Sequence, residues 1–137
     1  MNVFVYGTLL VPKIWEAVTL TPGLVSHPAT LAGYEIRRVS DAVYPVIFAS
    51  SDSQSSVPGR VFLEVPDSAL QRLDRFEDSF YDRLEVFPQV PEIGQVAAQA
   101  YVAGEETYPA IVSEDTWTLA EFERHDLVDF WDRIFAG

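Results

Sequence analysis

Cysteine is absent from the 137 residues, which excludes disulfide frameworks, thiolate nucleophiles and cysteine-ligated zinc. Lysine occurs once, at Lys13, and 9 basic residues face 21 acidic ones for a formal charge of -12. Nucleic-acid recognition needs clustered basic charge, so no nucleic-acid partner is expected. The two histidines, His27 and His125, stand far apart in the chain. They form no H-x-x-x-H pair and read as surface or loop-packing residues, so no metal site is expected from them. The 7 glycines are never closer than ten positions, so the glycine-rich dinucleotide loop, the P-loop and the nucleophile elbow cannot be written. The apolar start, Met1 to Leu10, lacks a basic flank, and Gly7-Thr8 interrupts it well short of the ~20 residues of a membrane span. No membrane partner is expected, and the cytoplasm is the expected location.

What remains is 48% hydrophobic and 13% aromatic, the composition of a packed core, and the length suits one domain spanning 1–137. Val3 to Tyr6 reads as a first strand buried on both faces, followed by a turn at Gly7-Thr8. A helix is predicted from Pro12 to Leu20, stopped by Thr21-Pro22-Gly23. Strands are predicted over Leu31–Val39, Tyr44–Ala49, Gly59–Val65, Arg83–Val90 and Val96–Ala103. The serine-rich stretch from Ser50 to Ser56 is too short to divide domains and reads as a hairpin or exposed loop. Pro66-Asp67-Ser68 opens a central helix reaching about Ser79. Thr118-x-x-Glu121 has the form of a capping box, and Leu127, Phe130, Trp131 and Ile134 give a closing amphipathic helix. At least six strands with irregularly placed helices indicate an α+β fold with a mixed, strongly curved sheet or small barrel.

One carboxylate breaks the pattern of the central helix. With Leu73 at zero and about 100° per residue, Ala69, Leu70 and Phe76 define an apolar stripe, and Glu77 falls inside it at about +40°. Arg72, Asp74, Arg75 and Asp78 all fall about 100° or more from its centre. An ionised carboxylate on a packed face costs several kcal/mol unless it is paired, hydrogen-bonded, protonated or faces a wet cavity. Two readings stay open on these grounds: a helix-end Glu that is rotated out or paired with Arg83 or Arg60, or a general acid/base raised in pKa by partial burial.

The chain resembles the γ-glutamylcyclotransferase-like family, which includes AIG2-like proteins and γ-glutamylamine cyclotransferases. The resemblance runs through Val3-Phe-Val-Tyr-Gly-Thr-Leu-Leu10, Tyr44-Pro-Val-Ile47, Gly59-Arg-Val-Phe-Leu-Glu-Val65, Leu73-Asp-Arg-Phe-Glu77 and Tyr81-Asp-Arg83, in family order. It implies a small β-barrel flanked by helices, with a pocket at one end. It also implies that Tyr6, Gly7, Thr8, Leu9 and Leu10 bind the γ-glutamyl part of a small-molecule substrate and that Glu77 is catalytic. Where the family writes Gly after that Glu, this chain has Asp78.

The implied reaction is intramolecular: the α-amine of a γ-glutamyl group attacks its own γ-carbonyl, closing 5-oxoproline and expelling an amine or amino acid. Such a reaction takes its advantage from holding one short chain folded, with no enzyme nucleophile and no cofactor. One carboxyl of near-neutral pKa can take the proton of the attacking amine and return it to the leaving one. Backbone N–H groups from Gly7 to Leu10 would supply donors for the substrate's carboxylate and the developing oxyanion. Tyr81 is a further candidate at the pocket mouth, and Arg83 is expected to pair with Glu77 or Glu85 or to cap the pocket. A non-catalytic γ-glutamyl-binding module is the alternative, and a metal site at Glu105-Glu106 or Glu114-Asp115 a weaker one beside the solvated-loop reading of those clusters. The sequence leaves the oligomeric state open.

Overall fold

A computed structural model describes residues 1–77 and 80–136. In chain order these form β1 (Val3–Val5), a 3₁₀ turn (Thr8–Leu10), α1 (Pro12–Thr19), β2 (Ser26–Ala32), β3 (Tyr34–Arg38), β4 (Pro45–Ala49) and β5 (Ser56–Phe62). They continue with α2 (Asp67–Phe76), β6 (Tyr81–Val86), β7 (Gln89–Val90), β8 (Gly94–Gln95), β9 (Ala98–Ala103), α3 (Tyr108–Ile111), α4 (Leu119–His125) and α5 (Leu127–Ile134). Seven strands make one curled, half-barrel sheet in the order β6-β9-β1-β5-β2-β7-β8, and β3 and β4 pair separately. The β1–β9 pair is parallel, while β1–β5, β2–β5 and β6–β9 are antiparallel. The fold is therefore mixed α+β, as the sequence predicts.

β1 shows why this sheet has two cores. Its period-2 alternation sends Val3 and Val5 into a cluster with Ile14 and Trp15 of α1, Leu73 of α2, Phe122 of α4 and Phe130 of α5. Phe4 and Tyr6 point the other way, into a cluster of sheet residues that includes Leu31, Ile47, Val57 and Val61. A strand covered on both faces needs apolar residues at every position, and β1 is buried throughout. β5 approaches it very closely: a Cβ on Gly59 would lie 2.2 Å from the Val5 carbonyl oxygen and 2.8 Å from the Phe4 ring. Only glycine fits there.

Several predicted boundaries move, each for a local reason. The single strand predicted over Leu31–Val39 is two strands, because Gly33 takes φ +82 and hands the chain from the large sheet to the small one. β5 begins at Ser56 and ends at Phe62, earlier than predicted at both ends. Pro58 is tolerated within it because β1 pairs only with residues 60–62, leaving no β1 partner for the N–H that Pro58 lacks. The strand predicted over Arg83–Val90 starts at Tyr81, stops at Val86 before Phe87-Pro88, and resumes as β7 beside β2. The closing helix is likewise two: Asp126, at φ -122, separates α4 from α5, so that Phe122 and Phe130 meet edge to face in one core. Thr118 caps α4 by accepting the Glu121 N–H at 3.3 Å.

Candidate functional site

A cavity of about 150 Å³ opens where the C-terminal end of β1 meets the ends of α2 and α5. Tyr6, Gly7, Thr8, Leu9, Glu77 and Tyr81 all line it. Tyr44-Pro45 before and at the start of β4, Tyr101 of β9, and Phe130 and Ile134 of α5 complete much of the wall. Leu10 does not line this cavity. It faces a neighbouring groove with Trp15, Glu16 and Arg60, and its N–H is already donated to the Gly7 carbonyl at 2.9 Å. The 3₁₀ bond that tightens the turn engages the Leu10 amide, and the side chain lies on the α1 side, so the structure brings Leu10 to the groove and not to the cavity that the other predicted binding residues share.

The rest of the turn keeps its donors. Val11 N–H bonds the Thr8 carbonyl at 3.1 Å, and the N–H groups of Gly7, Thr8 and Leu9 make none of the turn, loop or cap backbone bonds of the described residues. Thr8 and Leu9 are buried, and with Gly7 they line the cavity. Gly7 is needed for proximity: a Cβ there would sit 2.9 Å from Pro45 Cγ.

Glu77 reaches the cavity because α2 ends one residue before it. The helix stops at Phe76, short of the predicted end near Ser79, and Glu77 turns to φ -74, ψ 146 while its N–H still bonds the Leu73 carbonyl at 3.0 Å. Its Cα therefore keeps the wheel position that the apolar stripe predicts, and the side chain is half-buried. Asp78, the position where the chain departs from the family's pattern, lies outside the described residues.

Two tyrosines respond to this carboxylate. Burial, and then the charge of Glu77, push the Tyr6 hydroxyl well above its ordinary value, so it remains a neutral donor. It donates to the Tyr101 carbonyl at 2.7 Å, a bond that ties the β1 end to β9. Tyr101 is also raised, first by burial and next by its bond to Asp74, with Glu77 adding to the effect and Arg83 opposing it. The Tyr81 hydroxyl donates to the Pro45 carbonyl, which locks the β6 start to the β4 start across the cavity rim.

Arg83 is held by Asp74 and Gln99. Its Nε lies 2.9 Å from Asp74 Oδ1 and its Nη1 donates to Gln99 Oε1 at 3.0 Å, because β6 and β9 pair with Arg83 opposite Tyr101 and carry the guanidinium to the outer side of α2. Arg60 is held by Ser26, at 3.1 Å from Nε to the hydroxyl. Sequence reasoning missed Tyr101, Phe130 and Ile134. The last two carry the helical periodicity of a packed face, and that signal does not separate a core wall from a cavity wall. Among the described residues no three His, Cys, Asp or Glu side chains gather as a metal site would require, and Glu105-Glu106 and Glu114-Asp115 lie away from the cavity.

With this geometry in view, residues 3–119 match the family described as gamma-glutamyl cyclotransferase, AIG2-like, and the chain belongs to that family. It is 32% identical over 131 residues to AIG2-like protein C of Arabidopsis thaliana, covering 94% of this chain and 73% of that one. A solution structure of a second Arabidopsis thaliana protein superposes with a TM-score of 0.71 at 28% identity, over 96% of this chain and 78% of that one. A structure named gamma-glutamyl cyclotransferase gives a TM-score of 0.60 at 16% identity, over 75% and 66%, and so shares the fold.

Proposed function

We propose that this protein is a γ-glutamyl cyclotransferase that converts a γ-glutamyl compound into 5-oxoproline and a free amine or amino acid. The observation that carries the reading is the meeting of Glu77 with the Gly7-Thr8-Leu9 turn, whose amides make none of the turn, loop or cap backbone bonds of the described residues, on one small cavity. Family membership supports it.

The substrate's α-amine attacks the γ-carbonyl carbon; a C–N bond closes the five-membered ring and the C–N bond to the leaving group breaks. The proton lost by the attacking amine is the one the leaving amine gains, so a single carboxylate at Glu77 serves both transfers. The amides of residues 7–9 hold the α-carboxylate and the γ-carbonyl oxygen as charge grows on it. Among the described residues no cationic side chain lines the cavity, so in this reading anion binding falls to backbone dipoles and hydroxyls. Tyr6 acts as a neutral, immobile wall beside Glu77, and Tyr81 shapes the rim. The cavity walls hold amine and carbonyl together, which supplies the proximity on which such a reaction depends.

Mass spectrometry of the protein incubated with γ-glutamyl amino acids, γ-glutamyl amines and glutathione tests this directly. At least one member yields 5-oxoproline, and Glu77→Gln lowers kcat by about 10²–10⁴-fold, the usual worth of a general acid/base. Binding by calorimetry with no product from any member would replace the enzyme by a γ-glutamyl-binding module.

A further inference from the structure

Asp74 lies one helical turn before Glu77 on α2, and the turn-by-turn pattern places it on the solvent side. It is nevertheless the acceptor of two strong bonds from the sheet. The Tyr101 hydroxyl of β9 donates to Asp74 Oδ1 at 2.6 Å, and Arg83 Nε of β6 lies 2.9 Å from the same oxygen. Tyr101 and Arg83 face each other in the β6–β9 register, and Gln99 fixes the guanidinium from the neighbouring position on that side of β9. Charge-assisted bonds converging on one carboxylate oxygen are short and directional, and here they join a helix end to two paired strands.

Tyr101 has a second attachment: its backbone carbonyl accepts the Tyr6 hydroxyl at 2.7 Å. One residue of β9 therefore holds the start of the donor turn through its main chain and the end of α2 through its side chain. We propose that Asp74 is a positioning residue, forming with Arg83 and Tyr101 a clasp that sets the Glu77 carboxylate against the Tyr6–Leu9 turn. The catalytic part of this inference rests on the reading of Glu77 given above; the structural part does not.

The alternative is that the three residues merely add surface stability, as exposed ion pairs do weakly. The two roles separate in Asp74→Ala. Alanine is the better helix former, so propensity alone would hold or strengthen the last turn of α2. The clasp requires the opposite: the Glu77 amide, bonded to the Leu73 carbonyl, exchanges its hydrogen at least about ten-fold faster, while the Leu70 amide at the start of α2 changes by less than about two-fold. In turnover, kcat falls about ten-fold or more with KM within about two-fold, because the anion-binding amides are not on α2. Asp74→Asn, which keeps an acceptor for the Tyr101 hydroxyl, falls between. Asp74→Ala combined with Arg83→Gln is no worse than Asp74→Ala alone, since both remove one unit. Unchanged Glu77 exchange in Asp74→Ala overturns the clasp, as does loss confined to global melting with kcat intact. If the unaltered protein yields no 5-oxoproline, the cyclotransferase reading fails while the exchange comparison still decides the clasp.

Discussion

Tyr6 carries a titration that can be measured without knowing any substrate. Its folded-state pKa lies above the ordinary value of 10.0 because the hydroxyl is buried beside Glu77. Below pH 10 the folded and unfolded chains both hold the proton, and the contribution to stability is whole. Above it the unfolded chain releases the proton first, so stability falls by up to about 1.4 kcal/mol per pH unit until the folded value is passed. Tyr6→Phe removes this dependence together with the bond to the Tyr101 carbonyl. Thermal melts at pH 8 then place the variant about 1 kcal/mol below the parent. Between pH 9.5 and 11 that gap narrows, because only the parent is penalised by ionising Tyr6. A gap that widens with pH would mean that the Tyr6 hydroxyl ionises more readily in the folded protein than in the unfolded chain.

Elements begin and end where single residues allow, and α1 ends on an unfavourable one. Leu20 caps it at φ 54, in the left-handed region that disfavours a Cβ, and its side chain is 64% exposed and so contributes little packing. Leu20→Gly is expected to raise stability by about 0.5–1 kcal/mol in urea unfolding, the relief of strain exceeding the added freedom of the unfolded chain. That end was legible only approximately, because Thr21-Pro22-Gly23 announces a stop without saying which residue takes the left-handed turn. The same limit explains Gly33, where a glycine within an apolar run marks a strand-to-strand handover only once both sheets are known. β1 was legible because burial on both faces demands an unbroken apolar run, and Glu77 because a charge on an apolar stripe needs a cause. The Asp74 clasp was not: it depends on Arg83 lying opposite Tyr101, and strand register is a long-range property with no local signature. The side of the turn on which Leu10 lies was not legible for a related reason, since a 3₁₀ turn and a longer loop have the same residues and point their side chains differently.

At the scale of the whole molecule the acidic excess becomes a kinetic statement. The chain carries a formal charge of -12, its one lysine sits 4.4 Å from the Trp131 ring centroid on the α1–α5 side, and the described side chains lining the cavity include the carboxyl of Glu77 and no lysine or arginine. A γ-glutamyl amino acid carries two carboxylates against one ammonium, so the long-range field opposes its approach to the amides of residues 7–9 that the proposed reaction assigns to it. Added salt shortens the screening length from about 30 Å at 0.01 M to about 8 Å at 0.15 M. That weakens the diffuse repulsion far more than the contacts inside a small cavity. Raising sodium chloride over this range is therefore expected to increase kcat/KM for a substrate of net negative charge by about two- to five-fold. The increase appears in KM, since kcat reports the bound complex and its local groups. A γ-glutamyl amine whose leaving group carries a positive charge is net positive, so the acidic field draws it in, and its kcat/KM falls over the same titration. If the anionic substrate instead loses kcat/KM as salt rises, a cation outside the cavity wall guides it in, and Arg38, half-exposed on β3 with its Nη2 4.0 Å from Asp126, is the first residue to replace.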